Sequence, residues 1–128
     1  MNPEIILVDD DEVLLVILEK MFLKVNPDAK VTLFSSGKAA LEYLENSPSL
    51  QKNRFLLVDI YLNDLSGWDF LNELIARKDD FSKVFLFTAS VDSDNLEKAK
   101  KHTSVIDFFE KPISFDKIHR IFELIQKE

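Results

Sequence analysis

Three short, almost purely apolar runs in this chain each end on a polar residue that a buried strand has no use for. Ile5-Ile6-Leu7-Val8 ends on Asp9-Asp10-Asp11, Phe55-Leu56-Leu57-Val58 on Asp59, and Val84-Phe85-Leu86-Phe87 on Thr88. A fourth run, residues 105–109, leads into Glu110-Lys111-Pro112. Short apolar runs without alternation suit strands covered on both faces, as in a parallel sheet between layers of helices. Ligands of such sheets bind outside the carboxyl ends of the strands, so the four polar endings are expected to meet. Carboxylates, a hydroxyl and an ammonium gathered at one sheet rim describe a site for a hard divalent cation and a phosphoryl group.

Two carboxylates about 4 Å apart at an effective dielectric near 20 repel by about 4 kcal/mol. A cluster of Asp9, Asp10 and Asp59 therefore either holds a proton or recruits a cation. Magnesium is the expected recruit. It favours oxygen ligands, needs only one or two carboxylates, and keeps positions for water and phosphate oxygens.

At 128 residues the chain is expected to form one domain, 1–128, with no output domain beside it. Eleven Phe against two Gly indicate a dense core with few permissive turns. A net charge of -7 argues against a nucleic-acid surface, which needs clustered Lys and Arg, and the basic run at 98–101 reads as a solvated helix face. The absence of Cys excludes disulfides and thiolate metal sites. The start, Met1-Asn2-Pro3-Glu4, lacks the pattern of a secretion signal and no run reaches the length of a membrane span, so a cytoplasmic protein away from the membrane is expected.

Between the apolar runs the spacing turns helical. Val13, Leu14, Ile17, Leu18, Met21, Phe22 and Val25 form two adjacent columns on one helix face, closed by Asn26-Pro27. Lys30 to Phe34 reads as a strand, and Ser35-Ser36-Gly37 opens a helix carrying Ala40, Leu41 and Leu44 inward until Ser47-Pro48 stops it. After Asp59 come a loop, 60–66, and a helix with Trp68, Leu71, Leu74 and Ile75 inside. Ser114 caps a last helix carrying Phe115, Ile118, Phe122 and Ile125. In the segment 92–102 Leu96 is the one large apolar residue, supported by Ala99, so this helix buries little and shifts easily. Five alternating strand-helix units imply a doubly wound α/β architecture.

An acidic cluster after the first strand, an Asp ending the third, a Thr ending the fourth and Lys-Pro ending the fifth resemble the receiver domain of two-component response regulators, over essentially the whole chain. The residues that carry the likeness are Val8-Asp9-Asp10, Val58-Asp59, Gly67 eight residues after Asp59, Thr88-Ala89 and Lys111-Pro112. The resemblance implies a flavodoxin-like five-stranded parallel sheet of order 2-1-3-4-5 with five helices. It also implies a stand-alone switch, similar to the chemotaxis-regulator type, that takes a phosphoryl group from a histidine kinase or phosphotransfer protein.

By the same likeness Asp59 is the phosphoacceptor, a carboxylate nucleophile. Asp10 ligates Mg2+ directly, Asp9 mainly through water, and Asp59 and the backbone carbonyl of Tyr61 complete the protein's ligands. The ring of Tyr61 lies near the site mouth. Asp11 has no family role and reads as the cap of the first helix. Thr88 turns its hydroxyl toward the phosphoryl group, Lys111 pairs with the phosphate or with resting Asp59 across a cis Lys111-Pro112 bond, and Phe108 holds the aromatic switch position. Output is expected through segment 92–102, the strand around Phe108 and the last helix near Lys117 and Arg120, onto a protein target. His102 and His119 read as solvated surface.

Three departures stand out. Asn63 replaces the family's proline four residues after the acceptor, which loosens the loop. Ser104-Val105 replaces a small Gly-Ala pair, so packing before the fifth strand differs, and Phe108 lacks a tyrosine hydroxyl.

Other functions fit less well. An aspartyl phosphatase of related architecture places a second Asp two residues after its nucleophile, where this chain has Tyr61. A flavin module wants a Ser/Thr/Gly phosphate loop after the first strand, and three Asp residues there repel phosphate. A pseudo-receiver that binds partners without phosphorylation typically loses an acid, the acceptor or the lysine, and all are present. The expectation is thus a signalling receiver rather than a metabolic enzyme, with slow autocatalytic phosphotransfer and self-dephosphorylation only.

Overall fold

The computed structural model describes residues 3–46, 54–77, 83–89, 92–102 and 104–127. Strands and helices alternate: β1 (Glu4–Val8), α1 (Glu12–Val25), β2 (Lys30–Phe34), α2 (Gly37–Asn46), β3 (Arg54–Asp59), α3 (Gly67–Ala76), β4 (Lys83–Thr88), α4 (Ser93–Lys100), β5 (Val105–Glu110) and α5 (Phe115–Lys127). All pairings are parallel, in the order β2-β1-β3-β4-β5, the doubly wound order that was expected. The chain reverses its direction of travel across the sheet between β1 and β3, and ligand sites of such sheets lie at that point.

The absence of alternation in the strands has a direct cause. Ile5 and Leu7, Phe55 and Leu57, and Phe85 and Phe87 enter a core shared with α1 and α5. Ile6 and Val8, Leu56 and Val58, and Val84 and Leu86 enter a second core shared with α2 and α3. With both faces buried, every position of these central strands between their polar ends is apolar.

The helices correct several expectations about what faces inward. In α1 the buried residues are Leu15, Leu18 and Phe22, while Val13 is 70% and Ile17 49% exposed. Asp11 caps the helix, accepting from the Leu14 amide at 3.1 Å, and Leu14, Met21 and Val25 pack partly buried against the same core as Leu15, Leu18 and Phe22. In α3 Phe70 is fully buried, Ile75 is exposed and Trp68 half-buried. In α5 Ile121 joins Ile118 and Phe122 in the core, and Phe115 is exposed. Asn26 closes α1 and Ser114 caps α5, both as read from the sequence. The stop at Ser47-Pro48 lies outside the described residues.

Helix α4 buries little, as expected, but not through the residue expected. Leu96 is 41% exposed, and the residue it buries is Asn95. At the start of β5 the register shifts, Val84 pairing with Val105 and Phe85 with Asp107.

Candidate functional site

The sheet register brings the polar strand ends together. Val8 pairs with Val58, so Asp9 stands beside Asp59 one step beyond; Thr88 pairs with Glu110, one step before Lys111. Asp9 and Thr88 are fully buried, Asp59 nearly so, and Asp10 and Lys111 half-buried. Phe108 is half-buried against the second core, the one that also takes Val84 and Leu86 of the strand ending at Thr88.

Asp59 is held by both oxygens. Oδ1 accepts from the Tyr61 amide at 3.1 Å and Oδ2 from Lys111 Nζ at 3.0 Å. The Lys111 amide donates to the Thr88 carbonyl at 2.8 Å, which fixes the root of the lysine beside the end of β4. Its ammonium also lies 2.8 Å from Asp9 Oδ2 and 4.8 Å from the centroid of the Phe87 ring. The Lys111-Pro112 peptide is cis.

These contacts shift the titrations. Burial raises the Asp59 carboxyl above its ordinary range, outweighing the Tyr61 amide and Lys111, which pull it down. Asp10 is raised too, by partial burial and then by the neighbouring Asp9 charge. For Lys111 burial favours the neutral amine, but the adjacent charges of Asp9 and Asp59 prevail and raise it, so the ammonium is retained.

The acids also fit a metal. Oxygens of Asp9, Asp10 and Asp59 lie within 4.8 Å of one another. Asp9 Oδ1 accepts from the Asp11 amide at 2.8 Å, but its buried Oδ2 makes no hydrogen bond, meeting Lys111 at an angle too poor for one. A buried carboxylate oxygen lacking a hydrogen bond, among two further acids, is the donor set a hard cation takes up.

The loop after Asp59 is better secured than Asn63 suggested. Gly67 N donates to the Ile60 carbonyl at 2.7 Å, and a Cβ on Gly67 would lie 2.8 Å from Ile60 Cα, so only glycine permits this approach. Asp64 reaches across to the start of α2 and accepts from the amides of Gly37 at 3.1 Å and Lys38 at 2.9 Å. These bonds restrain the loop at both ends.

Asn95 and the polar partners of Trp68 escaped the sequence reading. Asn95 receives a hydrogen bond from Trp68 Nε1 at 3.1 Å and donates one to the Tyr61 hydroxyl at 3.1 Å. Trp68 also stacks on His102, with centroids 5.8 Å apart, so His102 is half-buried against an aromatic ring rather than solvated. His119 is exposed, as expected. The signal available was weak: Asp92 as cap places Asn95 in the first turn of α4, directly before the lone leucine.

The family model described as response regulator receiver domain matches residues 5–123. A curated relative, named probable methanogenesis regulatory protein FilR2, from Methanothrix harundinacea, is 27% identical over 127 residues, 96% of this chain and 81% of that protein. A two-component response regulator from Legionella pneumophila superposes with TM-score 0.83 at 24% identity, over 99% of this chain and 100% of that one. The chemotaxis response regulator CheY4 of Vibrio cholerae superposes with TM-score 0.80 at 12% identity, over 98% and 99% of the two chains. The last two establish likeness of fold. No helix among the described residues is long and apolar enough to cross a membrane.

Proposed function

The chain belongs to the response regulator receiver domain family, and from that premise we propose that it is a phosphorylation switch whose acceptor is Asp59. The observation that carries this reading is the single ammonium of Lys111 set between the oxygens of Asp9 and Asp59. An Asp59 oxygen attacks the phosphorus of a phosphohistidine on a histidine kinase or phosphotransfer protein. The phosphorus–nitrogen bond breaks, its electron pair returns to the imidazole, and an acyl phosphate remains on Asp59. Negative charge is thereby added to an acidic pocket, and Lys111 lies within contact distance to offset it. Asp10, Asp59, the Tyr61 carbonyl and, mainly through water, Asp9 would hold Mg2+, which would supply further charge neutralisation. On this reading Thr88, at the end of the strand beside Asp59, bonds the product phosphate and draws on Phe108. Water later attacks phosphorus and restores the carboxylate with release of phosphate. The protein on this reading communicates and does not serve metabolism, and its output is a changed contact with a protein target through α4, β5 and α5.

Access for the donor has a visible rim. Val13, Val16 and Ile17 are exposed on one face of the first turns of α1, directly after the acid pair. A protein donor that reaches Asp59 over this edge would cover them.

Incubation with acetyl phosphate, followed by intact-mass measurement, tests the reading. One phosphoryl group per chain is expected with Mg2+ present, and none on Asp59→Asn or in excess chelator. Equal labelling of Asp59→Asn would overturn it.

A further inference from the structure

The surroundings of Asn95 assign it a task at the acceptor site, although it lies on α4. The residue is only 5% exposed in a helix that otherwise buries little. An indole N–H can only donate, so the Trp68 bond requires Asn95 Oδ1 to face Trp68. Nδ2 must then face Tyr61, whose hydroxyl accepts from it. The backbone of that same tyrosine donates to Asp59 Oδ1. Tyr61 therefore grips the acceptor at one end and α4 at the other.

Trp68 completes the attachment. Three residues along one face of α4 and its end meet this ring: Asn95 by its hydrogen bond, Lys98 with its ammonium 5.9 Å from the centroid, and His102 by stacking. Leu96, which lies off this face, is exposed. On the α3 side the placement of α4 thus rests on one polar and aromatic anchor, and that anchor is hydrogen-bonded to the site.

We propose that Asn95 is a positioning residue that links α4 and Trp68 to the acceptor through Tyr61. Whatever occupies Asp59 Oδ1, a metal ion or a phosphoryl group, competes with the Tyr61 amide for that oxygen. The tyrosine side chain has two torsions, so a displaced backbone shifts the hydroxyl, and Asn95 passes the shift to the indole. This route is separate from the one through Thr88 and Phe108. It rests on Asp59 being the site that binds metal and phosphoryl group.

Trp68 is the single tryptophan, so its emission reports on the link. Magnesium, then beryllofluoride with magnesium, would be titrated into the full chain as wild type, Asn95→Leu, Tyr61→Phe and the double variant. Acetyl phosphate labelling would be followed in parallel. Wild type should show a saturable change in emission. Asn95→Leu should lose most of that amplitude while still being labelled, and Tyr61→Phe, which leaves α4 untouched, should lose it similarly. The midpoint for magnesium should move roughly fivefold in each single variant, the weight of one neutral hydrogen bond, and no further in the double variant. A merely structural Asn95 would give additive effects. A wild-type emission change in Asn95→Leu, additive midpoints, or a labelled wild type with silent Trp68 would each overturn the proposal. Failure of wild type to be labelled, with emission still responding to magnesium, would overturn the phosphorylation reading and leave the link standing.

Discussion

Lys111 Nζ lies 3.0 Å from Asp59 Oδ2, and the same ammonium is 2.8 Å from Asp9 Oδ2. One cation is therefore shared by two buried carboxylates at the ends of neighbouring strands. Removing it leaves like charges facing each other.

Lys111→Met keeps the apolar stem and deletes the charge. Breaking a fully buried ion pair costs ~3–5 kcal/mol, and this site, with the lysine partly wetted, should lose somewhat less. Magnesium should recover much of that loss, since it brings positive charge to the same acids. Thermal melts with and without magnesium check this. The variant should melt lower and gain more from the ion than wild type, and equal gains would contradict the shared-cation account.

The raised titrations of Asp59 and Asp10 have two opposite consequences in acid. A carboxyl whose folded pKa is raised binds protons more tightly when folded. Without metal, stability contributed by these groups therefore rises as pH falls through the folded pKa and is reduced again above it. Magnesium needs the ionised form, so its affinity should fall over the same window, beginning at a higher pH than an ordinary Asp requires. Calorimetric titration of magnesium across mildly acidic pH, beside melts of the metal-free protein, should show the two trends diverging. An affinity flat down to the ordinary carboxylate range would refute the raised pKa values.

Asp64 runs the other way. Burial alone raises it, but the amides of Lys38 and Gly37 overcome this and lower it. A carboxyl with a depressed folded pKa contributes stability that is present above its unfolded pKa and is lost as pH falls through the folded one. Asp64→Ala should cost about 1 kcal/mol at neutral pH, as loss of a helix cap does, and less in strong acid. Urea melts at both pH values measure the difference, and a cost independent of pH would show that the carboxylate charge is not what α2 uses.

What the sequence disclosed and what it hid divide on physical lines. The strand ends were legible because a buried parallel strand has one reason to be apolar and its terminus another to be polar, so Asp9, Asp59, Thr88 and Lys111 announced themselves. Hydrophobic spacing alone left the phase of α1 ambiguous. Val13 and Ile17 match Leu15 in character, and the choice between them falls to packing, which takes Leu15, Leu18 and Phe22 into the first core. Asn95, Trp68 and Asp64 were hidden for another reason. Each acts through a tertiary hydrogen bond to a partner 26 or more residues away, and local periodicity carries no trace of such a bond.

The exposed Val13, Val16 and Ile17 give a prediction that separates donors. Ile17→Glu places a charge on the apolar rim without touching Asp59, so labelling by acetyl phosphate should match wild type. Transfer from a phosphorylated histidine kinase or phosphotransfer protein should slow by about tenfold or more, as loss of a central interface contact does. Equal slowing with both donors would place the defect in the fold, and no slowing with either would move the donor to another edge.

The last prediction concerns where the signal emerges. Helix α4 exposes Leu96 and is held toward α3 by Trp68, while β5 is an edge strand whose register breaks beside Val84. Elements with few buried apolar contacts open at low cost, so a bias applied at Thr88 or Tyr61 should appear here first. Lys117, by contrast, bonds the carbonyls of Glu110 and Pro112 at 2.5 and 3.1 Å, which ties the start of α5 to the end of β5. Moving a two-state equilibrium from 1:99 to 99:1 takes about 5.5 kcal/mol, within reach of two charge-assisted contacts to a phosphoryl group together with repacking of Phe108. Amide exchange with and without beryllofluoride should therefore change most over Thr88, α4 and β5, less over the start of α5, and least over β1 and β3. A response confined to residues 60–66 would mean that the loop absorbs the change and that this protein signals through another face.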